Sequence, residues 1–128
     1  MAGLTVLDAS VLIAHFDRED AHHDRAGRIL QAAGDLRTSV ITLAEALVTP
    51  THRGALETAR AGLGSLGVEE VPLGRDAARR LAALRVDTRL KLPDCCVLLA
   101  AQDAGADTVA TFDDRLGAAA EGLGISVA

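Results

Sequence analysis

The chain has 128 residues, enough for one domain with a substantial core. Hydrophobic residues make up 49% and aromatic residues only 2%, so that core must be built from Leu, Val, Ile and Ala. The net charge of −5 argues against nucleic-acid binding through a broad basic surface, and no apolar run nears the roughly 20 residues that span a bilayer.

The opening MAGLTVLDAS carries no basic segment and meets an acid early, unlike a signal peptide, so a cytoplasmic protein with no membrane contact is expected. An apolar run over 4–7 reads as the first strand. Residues 10–16 read as a short helix, 17–20 as a polar break, and 21–33 as a second helix stopped by Gly34. A second strand is expected over 36–40 and a short helix over 42–48, closed by Pro50. Residues 52–66 have a helical pattern weakened by Gly62 and Gly64. A third strand over 68–73 carries Pro72, which suits a sheet edge. A helix over 75–86 places Ala77, Leu81 and Leu84 on one stripe. The helix over 92–104 holds Pro93 in its first turn, where the ring is tolerated, and stops at Gly105. A fourth strand over 108–112, a helix over 114–122 and a short strand over 125–127 complete the chain. Strands alternating with helix-length crossovers predict a single α/β domain: a central parallel sheet of four to five strands flanked by helices. The strands are apolar runs, as expected when helices cover both faces.

Cys95 and Cys96 are adjacent and fit no metal or redox spacing, so they read as small hydrophobes in a helix. The histidines show no zinc spacing, and His22 and His23 read as a solvated helix start. Arg79, Arg80, Arg85, Arg89 and Lys91 form a basic stretch interrupted by Asp87. It is either a solvated helix face or a strip that grips phosphates. Arg85 leans to the apolar edge of its helix, which suits snorkelling or an internal pairing.

Four acids carry the chemistry. Asp8 follows the first strand and Asp113 the fourth; each is also well placed to cap a helix. Glu45 shares a stripe with Ile41 and Val48, yet Thr42-Leu43-Ala44-Glu45 also matches a capping box. Asp94 shares a stripe with Val97, Leu98 and Ala101 and falls in a first helical turn, where the macrodipole stabilises a carboxylate. In a parallel sheet, strand ends and the following helix starts face one edge, where ligands bind. Two unit charges about 5 Å apart repel by roughly 3 kcal/mol at an effective dielectric near 20. Four such carboxylates in one crevice call for a hard cation with oxygen ligands, Mg²⁺ or Mn²⁺.

The motifs LDASVLI around Asp8, TLAEAL around Glu45, LPDCCVLLAA around Asp94 and ATFDDRL around Asp113 resemble, in order and spacing, PIN-domain ribonucleases of the VapC toxin type. The resemblance covers nearly the whole chain and implies one PIN domain over 1–128. It implies a Mg²⁺- or Mn²⁺-dependent endoribonuclease, usually a homodimer, acting on RNA and held inactive by a cognate antitoxin. Asp8, Glu45, Asp94 and Asp113 carry over as the acidic tetrad, with Asp8 and Asp94 as metal ligands. Ser10 and Thr111 match the hydroxyl residues that support the acids. Thr111, Asp113 and Leu116 align with the last motif, which favours Asp113 over Asp114; Leu116 replaces a more frequent aromatic. Arg79, Arg80, Arg89 and Lys91 stand as candidate phosphate contacts. The rival readings are a PIN-fold binding module without catalysis and a phosphoacceptor receiver domain, with a structure-specific nuclease of the same fold as a third. The second needs paired acids after the first strand and a late lysine, and the chain has a single acid there and only Lys91.

Overall fold

The computed structural model describes residues 3–32 and 34–128. Five parallel strands form one sheet in the order β3-β2-β1-β4-β5. They are β1 (Leu4–Leu7), β2 (Asp35–Ser39), β3 (Glu69–Val71), β4 (Thr108–Ala110) and β5 (Ser126–Val127). The helices are α1 (Ala9–Phe16), α2 (His23–Ala32), α3 (Val40–His52) and α4 (Leu56–Ser65) on the first half of the chain. On the second half they are α5 (Ala77–Thr88), α6 (Leu92–Ala104) and α7 (Asp114–Gly122). Among the described residues no helix is long and apolar enough to cross a membrane.

Alternation along the strands distributes two cores. Val6 and Val109 point to one face and pack with Val97, Leu98 and Leu116 from α6 and α7. Leu7 and Ala110 point to the other and pack with Val11, Leu12, Leu30 and Ala46 from α1, α2 and α3. Burying each such Val or Leu contributes about 1.5–3 kcal/mol. Cys95 and Cys96 are buried in α6, as its helical pattern requires, with Cys95 inside the first core.

β1 is the centre of the sheet. The chain runs from it through β2 to β3 on one side, then returns to place β4 on the other. The boundary between β1 and β4 is therefore the switch point, and the crevice beyond their carboxyl ends is where such a sheet binds ligands.

Several boundaries differ from the sequence expectation for identifiable reasons. β2 runs one residue earlier than 36–40 because Ser39 caps α3, leaving Val40 as its first helical residue. Pro50 does not close α3, which continues to His52. The ring removes only one donor, and Ala55 N–H returns to the Pro50 carbonyl at 2.8 Å. The expected helix over 52–66 starts at Leu56, because Gly54 adopts φ 71° and turns the chain. α2 begins at His23 rather than 21: Asp17 and Asp20 accept from the Glu19 and His22 amides, two local turns that compete with helix. Its expected end at Ala33 lies outside the described residues. The helix expected over 75–86 is shifted to Ala77–Thr88. β3 is shorter than 68–73 and stands at the sheet edge, with Pro72 just beyond it. β5 begins at Ser126, one residue later than expected. β4 stops at Ala110, whose carbonyl takes the Asp8 N–H as a last rung at 2.9 Å. Beyond that rung, side chains rather than backbone join the two strands.

Candidate active site

Asp8 leaves the carboxyl end of β1 and is 7% exposed. A carboxylate buried to that degree needs partners. Its Oδ1 accepts from the Ala9 N–H at 2.8 Å, which caps α1. Its Oδ2 accepts two hydroxyls, Ser10 Oγ at 2.8 Å and Thr111 Oγ1 at 2.7 Å. Each hydroxyl also accepts a backbone donor. Ser10 Oγ takes the Phe112 N–H at 3.1 Å, and Thr111 Oγ1 takes the Asp113 N–H at 3.0 Å. Two short side chains thus stitch the end of β1 to the loop after β4 and fix Asp113 beside Asp8. Asp8 is a cap and also a member of the acid cluster. Its Oδ2 lone pairs are both used, and Oδ1 keeps one for a further partner.

Asp113 caps α7, its Oδ1 accepting from Arg115 N–H at 2.9 Å and Leu116 N–H at 3.2 Å. Neither bond uses Oδ2. Asp94 sits in the first turn of α6 and is partly buried. Burial raises its pKa, and the charges of Asp8 and Asp113 raise it further; Lys91 and Arg115 act in the opposite sense. Burial also raises the pKa of Glu45, followed by the charges of Asp8 and Asp94. The four acids therefore share one electrostatic neighbourhood at the switch point. Asp113, rather than Asp114, is the acid that Asp94 feels.

Glu45 needs two corrections. The capping box over Thr42–Glu45 does not form, because α3 starts earlier and Ser39 Oγ caps it by accepting from Ile41 N–H at 3.3 Å. Thr42 is instead fully buried, and its hydroxyl is unpartnered among the described residues. Nor does the Ile41–Glu45–Val48 stripe face the core: Val48 is 64% exposed, while Thr42 and Ala46 are the buried positions. Glu45 has no capping role and is exposed.

The family model of the PIN domain matches residues 5–122. The chain belongs to the PIN-domain family. Its fold is that of VapC20 from Mycobacterium tuberculosis, a sarcin-ricin-loop-cleaving toxin, with a TM-score of 0.76 at 21% identity over 90% of this chain and 94% of that one. A toxin–antitoxin complex from Klebsiella pneumoniae matches with a TM-score of 0.73 at 26% identity, over 85% and 86% of the two chains. VapBC2 from Rickettsia felis, bound to a DNA fragment from its promoter, matches with a TM-score of 0.69 at 12% identity over 98% of each chain. No curated protein sequence matches the chain.

In this PIN domain Asp8, Glu45, Asp94 and Asp113 offer carboxylate oxygens, the donor type that suits a hard divalent cation. Among the described residues no three acid, His or Cys side chains are gathered closely enough to hold one ion as they stand. Asp8 is held by its hydroxyl partners. Among the described residues no side chain donates a hydrogen bond to Glu45 or Asp94 as Ser10 and Thr111 do to Asp8.

The cations divide unlike the basic stretch of the sequence. Arg80 pairs with Asp103 and contacts Gln102 at the far end of α6, and Arg79 pairs with Asp76. Asp103 lies nine residues beyond Asp94, about 13 Å along a helix. Arg79 and Arg80 are thus not brought to the acids, because α5 runs antiparallel to α6. Arg85 donates to the Leu90 carbonyl at 2.6 Å, the internal pairing its position suggested. Arg89 is exposed with φ 62°, and Lys91 lies close enough to Asp94 to lower its pKa. Arg115, overlooked in the sequence, is the second cation acting on Asp94. Its only sequence signal is its place two residues after Asp113. His22 and His23 are not simply solvated either: His23 Nδ1 contacts the Ala14 carbonyl at 2.8 Å, and His22 stacks on Phe112.

Proposed function

We propose that this PIN domain is a Mg²⁺- or Mn²⁺-dependent endoribonuclease and the toxin of a toxin–antitoxin pair. The observation that carries the reading is the shared electrostatic neighbourhood of Asp8, Glu45, Asp94 and Asp113 beyond the β1–β4 switch point. Asp8 and Asp94 hold the ion, with Glu45 and Asp113 completing the set directly or through water. A divalent ion there supplies Lewis acidity, favouring deprotonated water and offsetting phosphate charge. Ser10 and Thr111 hold Asp8 fixed in orientation. Glu45, whose pKa is raised, is suited to accept a proton from the attacking water or to orient it. Lys91 and Arg115 offset the charge of the RNA backbone at the rim, and Arg89 extends that edge.

The partner is a cognate antitoxin. A groove of about 530 Å³ between α1, α3 and α4, lined in part by Ile13, Ala46, Pro50 and Ala59, suits an apolar antitoxin segment. We place the protein as a homodimer in the cytoplasm, in keeping with the toxins it resembles.

The test is cleavage of total RNA by the purified protein with Mn²⁺. Asp94→Asn is expected to abolish cleavage with the circular dichroism spectrum unchanged. Undiminished cleavage by that variant removes Asp94 from the site. Growth arrest on expression, relieved by the adjacent small open reading frame, tests the toxin role separately.

A further inference from the structure

Beside the acids lies a pocket of about 230 Å³ whose lining includes Arg25, Phe112, Asp113, Asp114 and Glu121. It is smaller than the roughly 300–1,000 Å³ of sites for drug-sized ligands and suits a single ring system. Phe112 joins this pocket to the catalytic centre, because its N–H donates to Ser10 Oγ, which in turn donates to Asp8. The His22 ring stacks on Phe112 with centroids 4.5 Å apart and planes inclined by 22°. The Arg25 guanidinium carbon stands 5.2 Å from the centre of the same ring. His22 and Arg25 are exposed, and Arg25 forms no ion pair among the described residues.

The chain has two phenylalanines and no Trp or Tyr. One of the two is thus covered by an imidazole, approached by a guanidinium and placed next to the acid cluster. Asp113, Asp114 and Glu121 in the pocket wall disfavour a phosphate there despite Arg25, whereas His22, which is not part of that wall, offers an exposed ring stacked on Phe112. Stacking on aromatic faces is how proteins grip single-stranded RNA whatever its sequence.

We propose that His22, backed by Phe112 and flanked by Arg25, is a positioning platform on which a nucleobase next to the scissile phosphate stacks. The inference rests on the nuclease reading and names the part of the substrate that the site holds. One face of His22 is committed to Phe112, and its exposed face receives the base. Phe112 keeps the platform in register with Asp8, through Ser10. Arg25 contributes a cationic plane at the same Phe112 ring.

The test uses Asp94→Asn protein, so that RNA is bound without being cut. The probes are a fluorescein-labelled single-stranded RNA of about 12 nucleotides and an abasic oligoribonucleotide of equal length, within the span of single-strand sites. Anisotropy is expected to show tighter binding of the base-bearing strand by roughly five- to 150-fold, the worth of one stacked base. Adding His22→Ala is expected to erase that preference while binding of the abasic strand holds, and His22→Tyr to restore it. His22→Gln, which keeps polarity but lacks the ring, is expected to behave as His22→Ala, and thermal melting verifies that each variant folds. A role confined to stiffening the loop over 17–22 would instead lower both affinities together and leave the preference intact. That result, or an unchanged preference in His22→Ala, overturns the platform. Failure of the wild-type protein to cleave any RNA overturns the nuclease reading itself, which is a separate outcome.

Discussion

Thr111→Val removes one hydroxyl and almost no volume, which makes it a sharp test of how the crevice is held. Thr111 is 5% exposed, so the substitution leaves no cavity and affects chiefly two hydrogen bonds. The bond at 2.7 Å goes to a carboxylate oxygen, Asp8 Oδ2, and bonds of that class contribute about 1.5–3 kcal/mol. The bond accepted from the partly buried Asp113 N–H is a neutral one, worth about 0.5–1.5 kcal/mol. The expected loss is therefore about 2–4.5 kcal/mol. With a urea dependence near 2 kcal/mol per M, the unfolding midpoint falls by about 1–2 M. Thr111→Ser keeps both bonds and loses one methyl, at about 1 kcal/mol. Urea denaturation of the metal-free proteins at pH 7 separates the two variants. Equal midpoints for Val and Ser would refute the claim that this hydroxyl binds β1 to the loop carrying Asp113.

Two further outcomes follow from the electrostatics. Glu45 and Asp94 have raised folded-state pKa values, so their contribution to stability is fully present below their ordinary values of 4.5 and 3.8 and is lost as pH rises through the folded values. For these groups, the metal-free protein gains stability as pH falls from neutrality toward that range. Asp94→Asn should flatten this dependence in denaturation curves taken across pH. Among the cations, Lys91→Ala and Arg115→Ala should each weaken RNA binding and reduce the slope of its salt dependence by about one unit per phosphate left unneutralised. Arg80→Ala should leave kcat/KM unchanged and cost at most about 1 kcal/mol, because its partners are Asp103 and Asp76 at the protein surface.

Which features were legible in the sequence follows from the range of the forces involved. Apolar periodicity and local stop signals located α6 and α7 to the residue, with Gly105 closing α6 at φ 64°. The acids at strand ends were readable because the parallel α/β pattern assigns an edge to them. Their shared neighbourhood was inferable, and Ser10 and Thr111 were readable as supporting hydroxyls through the motif resemblance, although Thr111 meets Asp8 across 103 residues and periodicity alone does not show it. Thr42 matched a capping box and is a buried residue, because Ser39 had already begun the helix three residues earlier. Pro50 read as a stop because the rule is local, while its place on the last turns of α3 removes little. The basic stretch misled for a tertiary reason: Arg80 meets an acid 23 residues away, across an antiparallel helix pair. The Phe112–His22 stack joins a strand end to a loop 90 residues earlier, and only the fold brings them together.

The central claim is that these four carboxylates form a divalent-cation site. Its most direct test is the effect of Mn²⁺ on the melting temperature of the wild-type protein, of Asp94→Asn and of Asp114→Asn. Saturation at a hundredfold excess over the dissociation constant corresponds to about 2.7 kcal/mol of added stability. Mn²⁺ is expected to raise the melting temperature of the wild type and of Asp114→Asn, and to leave that of Asp94→Asn largely unmoved. A wild-type protein indifferent to Mn²⁺, or an Asp94→Asn variant stabilised as much as the wild type, would contradict the claim.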